Sequence, residues 1–237
     1  MADIIKKQGN QDEELDKVES TFNSVGNALN KGEAFLENNQ KPIYIGIGIV
    51  TLLVVGVMLI KNFYIEPRDK EAKELIYGAE QFFARDSFQV ALDGKDDVMG
   101  FLEIIDEYGS TKAGNLAKAY AGLCYKQLGD YETAIDYLED FDADDKMIQP
   151  AVLGAIGDCY WDLDKDKPEK AIVYYKKAAS ADNEIITPFY NKRAAIAYLS
   201  MGENDKAIAL LENIIKKYPQ FSDMSDVKKY LEYAKSK

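Results

Sequence analysis

The sequence predicts an all-α protein in which a single N-terminal transmembrane helix precedes a solenoid of paired helices and a C-terminal capping helix. Two observations support this prediction. Residues 42–60 form a run of nineteen positions without a charged side chain. After residue 110, three segments share one pattern of small and aromatic residues, which recur at intervals of 35 to 38 residues. Intervals in this range are typical of stacked helical repeats.

The apolar run is long enough to cross a bilayer, whose core requires about 20 residues of helix. Twelve of the eighteen residues over Ile43–Ile60 are Ile, Val or Leu, and each such residue favours insertion by roughly 0.3 to 0.6 kcal/mol. Tyr44 lies at one end and Phe63 and Tyr64 lie at the other, where aromatic rings favour the membrane interface. We therefore predict a retained transmembrane helix over 42–65, because no small-residue cleavage motif follows the run.

The tail before this helix, residues 1–41, carries a short apolar stripe that indicates an amphipathic helix over about 13–37. Its apolar residues alternate at intervals of three and four: Leu15, Val18, Phe22, Val25 and Leu29. The stripe covers only two heptads, which is too short for a stable coiled coil by itself. Three interpretations remain open: a helix on the membrane surface, a helix that docks on a partner, and a mostly disordered tail.

The acidic composition and the lack of histidine exclude several functions. Residues 61–237 hold 24 basic and 33 acidic residues, a net charge of −9, which offers no electrostatic footprint for nucleic acid. Without histidine the chain lacks the commonest general base and zinc ligand. Two acidic runs, 140–144 and 162–166, lack the Gly and Glu of a calcium loop. We expect no enzyme activity, no metal, no cofactor and no small-molecule substrate.

Three repeats align over about 112–141, 148–180 and 188–219. The recurring residues are the tyrosines Tyr125, Tyr160 and Tyr198 and the alanines Ala134, Ala171 and Ala207. This register resembles the tetratricopeptide repeat (TPR), a 34-residue pair of helices. Small residues face each other across each predicted helix pair: Gly122 and Ala134, Gly157 and Ala171, and Ala195 and Ala207. We expect these pairs to let the two helices approach closely, with Leu138, Tyr175 and Leu211 filling the space around them.

Segments on both sides of the repeats complete a predicted domain over 66–237. Residues 68–108 show apolar residues at helical spacing around a polar insertion at 85–97, which predicts a degenerate first helix pair. A last amphipathic helix is predicted over 222–235, with Ser222 or Asp223 as its N-cap. Such a terminal helix covers the open end of a repeat array.

The two cysteines, Cys124 and Cys159, occupy the same position of adjacent repeats. Neighbouring helices pack about 8–10 Å apart, whereas a disulfide requires Cα atoms within about 7 Å. We therefore expect two buried free thiols.

The first helices of TPR arrays line a concave groove that holds protein ligands, and the resemblance places eight residues there. They are Leu116, Ala119, Leu123, Trp161, Phe189, Lys192, Ile196 and Leu199. Trp161 is the single tryptophan, and exposed aromatic residues are favoured binding anchors; packing beneath the loop at 164–168 is the alternative. TPR domains that bind acidic C-terminal chaperone peptides use Lys and Asn where this chain has Ala119 and Leu123. An extended or helical segment of a protein partner fits this apolar groove better.

The layout of the chain also resembles a known family. The stretches 35–39, 100–111 and 129–135, together with one span and a repeat domain, resemble the YfgM-like membrane-anchored TPR proteins of bacteria. The resemblance implies an inner-membrane protein with a cytoplasmic N-terminus and a periplasmic repeat domain. It also implies association with the SecYEG translocon and a PpiD-like membrane-anchored chaperone, in a scaffold or co-chaperone role during protein export.

Charge alone leaves the sidedness of the repeats open. The basic residues near the span are Lys31 and Lys41 on the tail side and Lys61, Arg68, Lys70 and Lys73 on the domain side. This bias favours cytoplasmic repeats, but long domains translocate largely regardless of charge. The alternative function is therefore a cytoplasm-facing TPR adaptor that recruits soluble proteins to the membrane.

Overall fold

A computed structural model describes residues 40–164 and 168–237. These residues form eleven α-helices, one π-helical segment and a two-stranded hairpin. The chain divides into a unit that ends at Asn62 and a second unit over Phe63–Lys237. The predicted tail helix over 13–37, with its stripe from Leu15 to Leu29, lies outside the described residues.

The first unit contains helix α1 (Gln40–Ile60), and the π-helical segment Lys61–Ile65 follows it. Among the described residues, one helical run, Gln40–Phe83, is long and apolar enough to cross a membrane, with a mean hydropathy of 2.7 in its apolar window. No part of that window is buried. Membrane crossing itself stays a prediction from length and composition.

The second unit begins with three helices and a hairpin. These elements are α2 (Glu66–Phe83), α3 (Phe88–Asp93), β1 (Gly94–Lys95), β2 (Val98–Met99) and α4 (Phe101–Tyr108). The prediction of a polar insertion at 85–97 was wrong, because this stretch forms α3 and most of the hairpin. Ala91 and Leu92 are fully buried, and Phe88 packs edge-on against Phe83 with ring centres 5.6 Å apart. The charged residues around this short apolar segment obscured it in the sequence.

Three helix pairs and a last helix follow. They are α5 (Lys112–Leu128) and α6 (Tyr131–Glu139), α7 (Ile148–Leu163) and α8 (Glu169–Ala179), α9 (Ile186–Ser200) and α10 (Asn204–Lys217), and α11 (Met224–Lys235). Each of these helices packs against the next one along the chain. Such sequential packing is the arrangement of a repeat array, so the all-α solenoid is confirmed. The helix α11 packs on α10, and its role as a cap stays a prediction.

Local chemistry at the helix ends explains where the helices start and stop. Gly129 ends α5 with a φ of +84°, and Gly202 lies in the α9–α10 turn with a φ of +73°. Glycine adopts this region of backbone conformation without strain. Before α7, Asp145 Oδ1 accepts hydrogen bonds from the backbone N–H groups of Met147 and Ile148, both at 2.8 Å. Before α9, Asn183 Oδ1 likewise accepts hydrogen bonds from the backbone N–H groups of Ile185 and Ile186. These turns repeat at equivalent positions and set where α7 and α9 begin.

Close packing within the helix pairs is confirmed at two glycines. A methyl group on Gly122 would lie 2.5 Å from Leu138 Cγ, and one on Gly157 would lie 2.7 Å from the Tyr175 ring. Leu138 and Tyr175 are buried as predicted. The repeat tyrosines take part in a second recurring contact, since Tyr125 stacks on Tyr137 and Tyr160 on Tyr174, with ring centres 5.4 and 5.5 Å apart.

Both cysteines are buried and free, as predicted. Burial raises the pKa of the Cys124 thiol to about 12 and that of the Cys159 thiol to about 12. Both side chains therefore act as small apolar core residues.

Candidate protein-binding groove

Two cavities lie along the first helices of the three pairs, α5, α7 and α9. The first, cavity A, has a volume of about 300 Å³. It is lined by Leu116, Ala119, Tyr120, Leu123, Met147, Ile148, Ala151 and Val152. No charged side chain belongs to this lining. Met147 is 50% exposed, so the cavity is open to solvent at the start of α7.

The second cavity, cavity B, has a volume of about 230 Å³ and lies between α7, α8 and α9. Its walls are Trp161, Tyr175, Phe189, Lys192, Arg193 and Ile196. Trp161 is half-buried on this wall and packs against the core around Tyr175. The structure thus places Trp161 at a cavity on the predicted groove; residues 165–167 of the alternative loop contact lie outside the described residues.

Two predicted groove residues have other roles. Leu199 lies outside both cavities and packs against the core of the last helix pair. Lys192 lines cavity B but is only 8% exposed, and its ammonium group donates to Asp223 Oδ2 at 2.7 Å. Asp223 occupies the N-cap position of α11 without making a side-chain cap bond. Lys192 therefore connects α9 to the start of α11 instead of offering a free charge to a ligand.

A group of four polar side chains, here called the Asp158 cluster, joins the helices that form the cavities. Asp158 accepts from Lys126 Nζ at 2.8 Å, from the Tyr175 hydroxyl at 2.9 Å and from Arg193 Nη1. These donors come from α5, α8 and α9, and Asp158 itself lies on α7. Along α7, Asp158 is located between Ala151 of cavity A and Trp161 of cavity B. One carboxylate therefore links all three repeats beside the groove.

The electrostatics of the cluster keep its groups in fixed charge states. Burial and the charge of Asp158 raise the pKa of Tyr175, so its hydroxyl remains a hydrogen-bond donor. Burial alone would lower the pKa of Arg193, but the Asp158 carboxylate and the Tyr175 hydroxyl outweigh burial and raise it. The Arg193 guanidinium also lies 5.2 Å from the centre of the Phe189 ring. Two cations and one carboxylate give the cluster a net charge of +1.

The repeat pattern of the sequence predicted neither a groove position for Arg193 nor the cluster. Arg193 comes directly after Lys192 and lies outside the repeat positions expected to face the groove. A signal for the cluster was present, because Asp158 is the one charged residue between Ile148 and Trp161. A lone charge on a helix that is otherwise apolar requires a partner when the helix packs.

In the described residues, Asp140 of the first acidic run and the neighbouring Asp145 make structural contacts. In that part of the chain, no group of three acidic or cysteine side chains is arranged to hold a metal ion. Asp140 pairs with Lys118 Nζ at 2.5 Å, and Asp145 binds the first backbone N–H groups of α7.

Comparison with protein families identifies the repeats. Two tetratricopeptide-repeat models match this chain, one over residues 193–220 and the other over 121–141 and 150–185. These segments overlap all three predicted repeats. The chain contains TPR repeats. A search of curated proteins found no similar protein. Because TPR repeats stack into surfaces that bind proteins, the domain is a protein–protein interaction scaffold that binds protein partners.

Proposed function

We propose that this protein is a membrane-anchored scaffold or co-chaperone of protein export, which holds segments of partner proteins along α5, α7 and α9. The observation that carries the proposal is the pair of open cavities, A and B, on the first helices of successive TPR repeats. Its partners would be the SecYEG translocon and a PpiD-like chaperone. The resemblance in layout to YfgM-like proteins supports that choice of partners and a periplasmic repeat domain.

The cavities suit a partner segment with large apolar side chains. Burying one Leu, Met or Phe side chain in each cavity would contribute about 1.5–3 kcal/mol per residue. Loss of translational and side-chain freedom offsets much of this gain. The balance favours weak, reversible binding, which a scaffold needs when it passes chains from one component to the next.

The helix α1 supports the proposal that the protein is anchored in a membrane. Its apolar window is unburied, and an isolated apolar helix of this length is stable when lipid surrounds it. The segment between α1 and α2 has only five residues, Lys61–Ile65. Insertion of α1 would therefore hold the start of the repeat domain near the membrane surface, where newly exported chains emerge from a translocon.

The binding role can be tested with two matched substitutions in the full-length protein. Met147 lines cavity A, whereas Val173 on α8 lines neither cavity, and both side chains are 50% exposed. Met147→Glu should abolish co-purification of translocon subunits from detergent-solubilised membranes, because a carboxylate cannot enter an apolar cavity without a large desolvation penalty. Val173→Glu should leave co-purification intact. Equal recovery with both variants would contradict a groove-mediated contact.

The second candidate function is a cytoplasm-facing adaptor, favoured by the basic residues that follow α1. The side of the membrane on which the repeats lie distinguishes this function from the first. Lys146 is exposed, so Lys146→Cys provides one accessible thiol, while the buried native thiols allow wild type to serve as the unlabelled control. A membrane-impermeant maleimide should label Lys146→Cys in cells with a permeabilised outer membrane if the repeats are periplasmic. Labelling only after lysis would overturn the export role and favour the adaptor.

A further inference from the structure

The Asp158 cluster carries a net positive charge, whereas the domain around it is acidic. Lys126 and Arg193 contribute two positive charges, and Asp158 contributes one negative charge. Residues 61–237 carry a net charge of −9, so a cationic cluster is unusual in this domain. The cluster is therefore the part of the groove with a charge complementary to an anionic group.

Arg193 is the member of the cluster that a ligand can reach. Its side chain is 39% exposed, compared with 15% for Asp158 and 20% for Lys126. Arg193 also lines cavity B. A guanidinium has five N–H donors, and within residues 40–164 and 168–237 Arg193 donates one hydrogen bond, from Nη1 to Asp158. Arg193 therefore keeps N–H donors beyond this bond, and it is a lining residue of cavity B.

The rest of cavity B is suited to an apolar side chain. Trp161, Phe189 and Ile196 form its apolar walls, while the other cation, Lys192, is already paired with Asp223. The cavity thus combines an aromatic pocket with one cation that has unused donors. A single ligand residue cannot both fill the aromatic pocket and pair with the Arg193 guanidinium, but two neighbouring residues can.

We infer that cavity B binds a large apolar residue that is adjacent to an Asp or Glu within an internal segment of a partner protein, with the carboxylate on Arg193. This inference rests on the proposed function, because it names the chemistry of the segment that the groove holds. An internal segment is favoured over a chain terminus because cavity A lies along α5 and α7 on the other side of Asp158. An internal segment can continue past Arg193 in both directions and so reach cavity A as well as cavity B.

The test uses four dipeptides and the fluorescence of the single tryptophan. The full-length protein, in dodecyl maltoside micelles, is titrated with acetyl-Glu-Phe-amide, acetyl-Gln-Phe-amide, acetyl-Lys-Phe-amide and acetyl-Gln-Phe with a free C-terminal carboxylate. Trp161 is the single Trp of the chain and lies on the wall of cavity B, so its emission reports occupancy there. We expect the Glu peptide to bind about five-fold more tightly than the Gln amide, as for one partly exposed charge-assisted hydrogen bond. The Lys peptide should bind most weakly.

Two variants change the cluster charge in opposite directions. Arg193→Gln reduces the net charge to zero and should remove the preference for Glu over Gln. Asp158→Asn raises the net charge and should retain or increase that preference. Arg85→Gln makes the same charge change at an exposed site outside the groove and should change nothing. Circular dichroism of each variant verifies the fold, and the comparison of four ligands on wild type needs no variant.

The outcomes separate this inference from the proposed function. Equal binding of the Glu, Gln and Lys amides, with a response from Trp161, would overturn the carboxylate preference and leave apolar binding in the groove intact. A response to the free C-terminal carboxylate alone would overturn the choice of an internal segment. No response to any peptide would overturn cavity B as a binding site, while the Met147→Glu test of cavity A would stand separately.

Discussion

Trp161 contributes both to the wall of cavity B and to the core beside Tyr175. Trp161→Ala should lower the free energy of unfolding by about 2 kcal/mol, less than the 3–5 kcal/mol of a fully buried aromatic residue, because the side chain is half-buried. Urea unfolding followed by circular dichroism measures this change. Tyr233→Ala, at a side chain that is 51% exposed, serves as the control and should cost under about 0.5 kcal/mol. Equal losses would contradict the packing of Trp161.

The two thiols allow a test of burial at single residues. Native protein at pH 8 should react with neither Cys124 nor Cys159 when treated with an aromatic disulfide reagent, because the thiolate is the reactive form and both pKa values are about 12. In denaturant both thiols should react within seconds to minutes. Rapid release of one equivalent from the folded protein would show that at least one repeat opens readily.

Asp69 on α2 gives the domain a defined dependence on pH. Burial alone would raise its pKa, but hydrogen bonds from Lys73 and from the backbone N–H of Ala113, together with the Lys73 charge, outweigh burial and lower it. A lowered folded pKa means that this contribution to stability is present above the unfolded pKa of about 3.9 and is lost as pH falls through the folded value.

Asp69→Asn should therefore lower the Tm at pH 7, and the difference from wild type should shrink as the pH falls below about 3.9. Thermal unfolding at pH 7, 5 and 3 measures this difference. A difference that stays constant over this range would show that the carboxylate charge does not stabilise the contact between α2 and the start of α5.

At the scale of helices, the approach of α7 to α8 depends on Gly157. Alanine is favoured over glycine in a helix by about 1 kcal/mol, yet an added methyl group would lie 2.7 Å from the Tyr175 ring. That ring cannot easily move, because its hydroxyl donates to Asp158. Overpacking costs about 1–3 kcal/mol, so Gly157→Ala should lower the Tm.

The same substitution in the preceding repeat provides the comparison. Gly122→Ala places the methyl group 2.5 Å from Cγ of the buried Leu138 and 3.0 Å from the backbone oxygen of Ala134, closer contacts than those at Gly157. We expect a larger decrease in Tm for Gly122→Ala than for Gly157→Ala, measured by differential scanning calorimetry. An increase in Tm at Gly157 would mean that helix propensity outweighs packing.

The repeat elements could be predicted from sequence because each one repeats a local pattern. Small residues such as Gly157 and Ala171 mark the crossing of two helices wherever they recur in register. The helix α3 could not be predicted in this way, since it occurs once and has six residues, too few for a clear period. Its burial depends on contacts with α2 that the local pattern does not reveal.

The repeat positions predicted several residues that line the two cavities, but they did not predict the charged contacts beside them. Leu123 and Trp161 were assigned to the groove from repeat positions, and each lines a cavity. Arg193 and its bond to Asp158 join residues 35 positions apart, and a repeat pattern does not specify which charged side chains meet across helices. Leu199 was also assigned to the groove from its repeat position, but it packs against the core of the last helix pair instead of lining a cavity.

At the scale of the whole molecule, the chain combines an unburied apolar helix with an acidic array of TPR repeats. Within that array, cavities A and B lie along the first helices of the repeats, and the Asp158 cluster links α5, α7, α8 and α9 beside them.

The most direct test of the proposed function is site-specific photo-crosslinking in intact membranes. A benzophenone amino acid is placed at Met147, beside cavity A, or at Val173, on α8, two positions with the same exposed fraction of 50%. If the groove holds partner proteins, irradiation should produce adducts with a membrane or exported protein from position 147 and few or none from position 173. Equal adducts from both positions, or adducts from position 173 alone, would contradict the assignment of the groove as the binding surface.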